Sequence, residues 1–249
     1  MHQPGQVVVV GGTKGLGKVV VDRFLTRGYP VTILSRTPIE SSKLNPALRH
    51  LSVDLETLKD PQAIVEQTLA AGGPIRYLLF CQRYRGTQDP WVGELQVSLT
   101  ATHLLIKAFA DHFSSEGDQA VGVVSSVYAD FVGGSQPASY HVAKAGLNQL
   151  IKYYAWTLGQ KNIRINGIMP LTYLKAESRD YYLSQPDLMN LYSRFVPLKR
   201  LGSADDSANL LDFLCSDKAA FINGQCIFID GGVSVIWPEE LAKSLTFAS

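Results

Sequence analysis

At 249 residues, 46% of them hydrophobic and 18% charged, the chain reads as a soluble globular protein long enough to bury a sizeable core. Its 23 basic and 22 acidic side chains leave a formal net charge of +1, which is no footprint for nucleic acid or an anionic membrane. Five scattered histidines and the three cysteines Cys81, Cys215 and Cys226 lack the spacing of a metal site or a disulfide framework. No metal and a reducing, cytoplasmic setting are therefore expected. No segment has the length of a membrane span, and the start shows no leader pattern.

The elements alternate along the chain. "QVVVVGG" is a β-branched run ending in glycines and predicts a buried strand; "LGKVVVDRFLTRG" predicts a helix that stops at Gly28. "PVTILSR" and "RHLSVDL" predict the second and third strands, followed by the helix "DPQAIVEQTLAAGG" and the strand "IRYLLFC". Residues Trp91 to Phe113 read as one long amphipathic helix after a short loop, "AVGVVSS" as the fifth strand, and Ala138 to Gly159 as another helix. "NIRINGIMP" and "QCIFIDGG" complete seven strands. The expectation is a single α/β domain over 1–249, a three-layer α/β/α sandwich with a mostly parallel sheet. The stretch from Leu171 to Leu198 breaks the rhythm. It holds Tyr173, Tyr181, Tyr182, Tyr192 and Phe195 after a strand, as a lid over a ligand crevice would.

Three sets of residues point to chemistry. "GGTKGLG" follows the first strand, and Gly11, Gly15 and Gly17 allow a tight turn and close backbone approach to a phosphate at a helix N-terminus. At the end of the second strand stand Ser35, Arg36 and Thr37, where an acidic residue commonly holds the ribose hydroxyls of NAD. With Lys14 in the glycine turn, two cations favour the extra 2′-phosphate of NADP(H). Ser126, Tyr140 and Lys144 complete the third set, with Tyr140 and Lys144 one helical turn apart on one face.

Together these residues resemble the short-chain dehydrogenase/reductase family, a single-domain Rossmann type, over almost the whole chain. The family's Thr-Gly-x-x-x-Gly-x-Gly turn is matched by Gly11, Gly12, Thr13, Lys14, Gly15, Leu16 and Gly17, with Gly11 in the threonine place. "VSSVYADF" resembles the segment bearing the active-site serine, and Tyr140 with Lys144 matches Tyr-x-x-x-Lys. The resemblance implies Tyr140 as proton donor, Lys144 as its electrostatic support and ribose ligand, and Ser126 as a hydrogen-bond donor to the substrate oxygen. It places Asp54 and Leu55 by the adenine, and Cys81 and Pro170 near the nicotinamide. Four departures stand out: Phe80-Cys81-Gln82-Arg83 in place of Asn-Asn-Ala-Gly, Ser98 in place of a catalytic asparagine, Leu171 in place of glycine, and Lys175 in place of threonine.

Arg83 and Tyr84 follow the fourth strand, Tyr128 and Phe131 follow Ser126, His141 follows Tyr140, and Tyr173 opens the lid. These are the candidate substrate contacts, able to line a ring-sized pocket. The expected function is NADPH-dependent reduction of a ketone or aldehyde by a homodimer or homotetramer. The alternatives are a reductase or epimerase for an unusual substrate such as an enone, and a catalytically weak NADP(H)-binding regulatory or structural protein.

Overall fold

Strand β1 (Gln6–Val10) shows how the sequence builds two cores at once. Side chains alternate across a strand, so Val8 and Val10 enter one cluster and Val7 and Val9 the other; all four are fully buried. The next elements are α1 (Gly15–Thr26), β2 (Val31–Ser35), β3 (Leu48–Ser52), α2 (Gln62–Gly72) and β4 (Ile75–Phe80). Then come α3 (Pro90–Glu94), a π-helical turn (Leu95–Thr100), α4 (Ala101–Phe109), β5 (Gln119–Val124), α5 (Ala138–Gly159) and β6 (Ile163–Pro170). A short strand pair, β7 (Tyr173–Leu174) and β8 (Gly202–Ser203), brackets α6 (Arg179–Leu183) and α7 (Pro186–Phe195). The described chain closes with α8 (Ala204–Cys215), β9 (Cys226–Ile229) and α9 (Pro238–Thr246). This computed structural model describes residues 5–38, 45–87, 89–174 and 179–246; Lys175 and part of the expected lid lie outside them.

Seven strands form one parallel sheet in the order β3-β2-β1-β4-β5-β6-β9. One face packs against α2, α4 and α5, with Leu105, Phe109, Leu147 and Ile151 at its centre; the other packs against α1 and α8 around Phe24, Tyr77 and Leu211. This is the expected three-layer α/β/α Rossmann architecture. The aromatic triad Phe24, Tyr29 and Tyr77 has centroids 5.5–5.8 Å apart and anchors α1 to the sheet.

The long helix expected from Trp91 to Phe113 is different in detail. Asp89 caps its start, accepting from Trp91 N at 2.9 Å, and Pro90 sits where its missing N–H costs nothing. The helix then widens through the π-turn and stops at Phe109, because Phe113 leaves it to bridge Ile75 beside β4. A π-turn inside a helix frequently marks a functional site.

Candidate active site

The strand order reverses between β1 and β4, which opens a crevice at the carboxyl ends of the strands. The glycine turn fills it from one side. Gly11 has φ +79°, and a Cβ there would lie 2.7 Å from the Gln82 backbone. At Gly17 a Cβ would lie 2.1 Å from the Gly11 carbonyl oxygen. The turn is thus wedged between β4 and α1 with no room for a side chain at Gly11 or Gly17. Lys14 precedes α1 without a side-chain cap, and no acid occupies the first turn, so the N–H groups of Gly15, Leu16 and Gly17 are left for an outside acceptor. Leu16 turns its side chain into the core, while Thr13 and Lys14 stay at the surface. These residues fit the diphosphate of a dinucleotide.

The far end of the crevice is less cationic than Lys14 and Arg36 alone suggest. Arg36 Nη1 lies 2.6 Å from Glu56 and 3.8 Å from Asp54. Glu56 is the residue that sequence reasoning missed: it is brought to Arg36 by the parallel pairing that sets Ser35 opposite Ser52. Ser35 Oγ is itself engaged by His50 Nε2 at 3.0 Å. Asp54 Oδ1 accepts from Glu56 N, closing the turn that presents both acids. Leu55 is buried with its side chain in the core, and its carbonyl accepts from Gln96.

The chemical end is built by β5 and α5. Ser126 lies just past β5, with Oγ accepting from Tyr128 N at 3.2 Å, and its hydroxyl is near enough to the Tyr140 phenol to lower the pKa of that group. Lys144 is 3% exposed, its Nζ 5.5 Å from the Tyr140 ring centroid and donating to Val124 O at 3.0 Å. Arg83 reaches back from the β4 loop: its guanidinium lies 5.5 Å from the same centroid and donates to Gln136. Tyr128 meets Tyr140 edge-on at 6.3 Å and bonds Ser135. Burial raises the Tyr140 phenol above its ordinary value, opposed by the nearby Ser126 hydroxyl and the Arg83 charge. Burial lowers the Lys144 ammonium to about 8, and Glu94 is the foremost charge resisting it. Burial likewise pushes the Cys81 thiol, beside Lys144, up to about 12.

Five expected residues are placed elsewhere or differently. Tyr84 is buried in the core, and its ring fills the space where Gly86 and Gly93 have no Cβ, so it is taken up by packing rather than by the crevice. Phe131 stacks on Phe228 at 5.7 Å. Tyr173 and Pro170 border a cavity of about 150 Å³ walled by Val196, Leu198, Arg200 and Asp206, at the carboxyl ends of β6 and β9. Ser98, 1% exposed in the π-turn, donates to Glu94 Oε1 at 2.5 Å. A larger cavity of about 500 Å³ beside Gly5, Pro30 and Arg76 sits at the opposite, amino ends of the strands.

A family model described as "Enoyl-(Acyl carrier protein) reductase" matches residues 10–234. The chain is 28% identical over 242 residues to a "Probable galactose dehydrogenase" of Rhizobium meliloti, covering 91% of this chain and 94% of that protein. It is 26% identical over 243 residues to a "Probable 2,4-dienoyl-CoA reductase" of Bacillus subtilis, covering 91% and 95%. A solved oxidoreductase of the short-chain dehydrogenase/reductase family from Burkholderia thailandensis superposes with a TM-score of 0.80 at 26% identity, covering 100% of this chain and 99% of the other. The chain belongs to the short-chain dehydrogenase/reductase family and is an NAD(P)-dependent oxidoreductase of that general type.

Proposed function

We propose that the protein is an NADPH-dependent carbonyl reductase in which Tyr140, Lys144 and Ser126 act together. The observation that carries this reading is the half-buried Tyr140 ring, with the Lys144 ammonium and the Arg83 guanidinium each 5.5 Å from its centroid and Ser126 beside it at the end of β5. A phenol whose burial holds it protonated is suited to donate a proton, the direction a reduction requires. Bound nicotinamide supplies the hydride. Ser126 would orient the carbonyl oxygen toward the Tyr140 hydroxyl, and Tyr140 would release its proton to that oxygen. The Lys144 charge, close to the ring, would stabilise the tyrosinate left behind and reach the nicotinamide ribose. Gly11, Thr13, Lys14, Gly15, Leu16 and Gly17 would hold the diphosphate, with Ser35, Arg36, Asp54 and the Leu55 backbone around the adenosine and Cys81 and Pro170 near the nicotinamide. Arg83 and Tyr128, both in contact with the Tyr140 ring, are the substrate-side residues this reading favours. Tyr173, with the segment 171–198 acting as a lid of one domain, would close over them.

A spectrophotometric panel of sugars, ketones, aldehydes and enones with NADPH tests the proposal. Sustained oxidation of NADPH with carbonyl substrates is expected; tight NADPH binding with no turnover on any member would sink it. The second reading, reduction of an enone, is favoured by the likeness to the enoyl reductase family model and to the probable 2,4-dienoyl-CoA reductase of Bacillus subtilis. The position of deuterium in the product separates the two.

Cofactor choice should be graded. Arg36 already carries Glu56, so a 2′-phosphate must share or displace that carboxylate. NADPH should be preferred by kcat/KM, and Glu56→Gln should widen the preference by about one charge-assisted hydrogen bond, roughly tenfold. Arg36→Asp should reverse it. An unchanged NADPH/NADH ratio in both variants would remove Arg36 from the site.

We also infer a cytoplasmic homodimer or homotetramer. Trp156 and Tyr153 leave 73% and 57% of their surface open on α5, and Trp237 is 69% exposed before α9. Light scattering over a range of concentrations should give two or four chains per particle; a monomer throughout would overturn this. Among the described residues no helix is long and apolar enough to cross a membrane, and no His/Cys/Asp/Glu group could hold a metal.

A further inference from the structure

Among the described residues, four Asp, Glu, Lys or Arg side chains are buried within the fold: Glu94, Lys144, Arg164 and Asp230. Two are satisfied locally by backbone. Arg164 donates to the carbonyls of Leu214, Cys215 and Ser216, and Asp230 accepts from the N–H groups of Gly232 and Ser234. Lys144 has the single carbonyl of Val124 and Glu94 the Ser98 hydroxyl, so each still carries a buried charge that these bonds only partly answer. Glu94 is 4% exposed and Lys144 3%. Glu94 lies on α3, which packs against α5, the helix that carries Lys144. A carboxylate at such depth is costly unless a cation answers it.

The surroundings hold Glu94 in place. Ser98 Oγ donates to Glu94 Oε1, Thr102 Oγ1 donates to the Ser98 carbonyl at 2.7 Å, and Gln82 Nε2 donates to Thr102 Oγ1 at 2.8 Å. This polar chain runs from the end of β4, where the glycine turn touches Gln82, through the π-turn to Glu94. Arg83, from the same loop, brings a positive charge toward both Tyr140 and Lys144. Without an opposing charge, burial and Arg83 would both push Lys144 toward the neutral amine.

We propose that Glu94 is a positioning residue for the Tyr140–Lys144 pair: its buried carboxylate, fixed by the Ser98 hydroxyl, keeps Lys144 an ammonium at neutral pH. This rests on the assignment of Tyr140 and Lys144 as the reacting pair. The groups that act on Lys144 are Glu94 from α3, Arg83 and Cys81 from the β4 loop, and the Tyr140 ring from its own helix. Glu94 acts on both members of the pair in one direction, raising the phenol and the ammonium alike. Removing its charge must lower both. Ser98 thus serves the site through Glu94, in the place where the family carries an asparagine.

The test is a titration of Lys144 in the full chain by NMR of 13C-labelled lysine, its signal assigned by its loss in Lys144→Met. The wild-type midpoint should lie near 8. In Glu94→Gln it should fall by on the order of one pH unit, the effect of losing one nearby opposite charge. Ser98→Ala keeps the charge but frees it, so the midpoint should move the same way by less. The alkaline limb of kcat/KM for NADPH-dependent reduction should follow the midpoint. A merely structural role would alter thermal stability and leave the midpoint where it was. An unmoved Lys144 midpoint in either folded variant overturns the proposal. Tyr140→Phe separates the two levels: near-normal turnover there removes the reacting pair, whereas its loss beside an unmoved midpoint in Glu94→Gln removes Glu94 alone.

Discussion

Tyr140→Phe should reduce single-turnover hydride transfer by on the order of 10²–10⁴-fold while leaving the fold and NADPH affinity nearly intact. The substitution deletes one oxygen. The ring keeps its edge-on contact with Tyr128 and its place beneath Arg83 and beside Lys144. What disappears is the proton donor at the step where negative charge grows on the substrate oxygen. Ser126→Ala should lose less, since the phenol remains. Lys144→Met should lose cofactor affinity as well as rate, because it removes the ammonium next to the ring. Circular dichroism and NADPH titration on each variant separate chemistry from misfolding. Transfer at the normal rate by folded, NADPH-loaded Tyr140→Phe would mean that another group supplies the proton.

The parts of the fold that were legible in the sequence are those set by local periodicity. The valine run of β1, the glycines after it and the bounds of α5 from Ala138 to Gly159 follow from patterns within one element. The break in the helix after Glu94 was not legible, because one extra residue in a π-turn barely disturbs a 3.6-residue apolar repeat. Nor was the pairing of Arg36 with Glu56, which lies 20 residues on and is delivered by the β2–β3 register. Tyr84 was read by its distance from β4, yet its fate was decided by two glycines, Gly86 and Gly93, that leave a slot its ring fills. Glu94 carried a faint signal, standing four residues before Ser98 on one helical face. Its burial depends on α5 packing across it, a tertiary fact that no spacing within "WVGELQVS" encodes.

Gly17→Ala should be the most damaging single methyl in the chain. A Cβ at this position would sit 2.1 Å from the carbonyl oxygen of Gly11 and 3.1 Å from the Gly12 Cα, and neither is the flexible end of a side chain. The first turn of α1 must therefore move away from β1. Gly11 cannot follow, because it is pressed against the Gln82 backbone on its other side. The expected cost is at least about 3 kcal/mol, the upper end of overpacking in a dense core. For a chain of this size that is a drop in Tm of about 6–12 °C. Displacing the helix start also turns the N–H groups of Gly15 and Leu16 away from the diphosphate. NADPH affinity should then fall by roughly 10²-fold, the loss of one or two charge-assisted hydrogen bonds. Gly134→Ala is the control: nothing lies within 4 Å of its added methyl, so Tm should stay within about 2 °C. Calorimetry and NADPH titration on both variants decide the matter. A Gly17→Ala protein that melts early yet binds NADPH normally would show that the close approach serves only packing and that the diphosphate is held elsewhere.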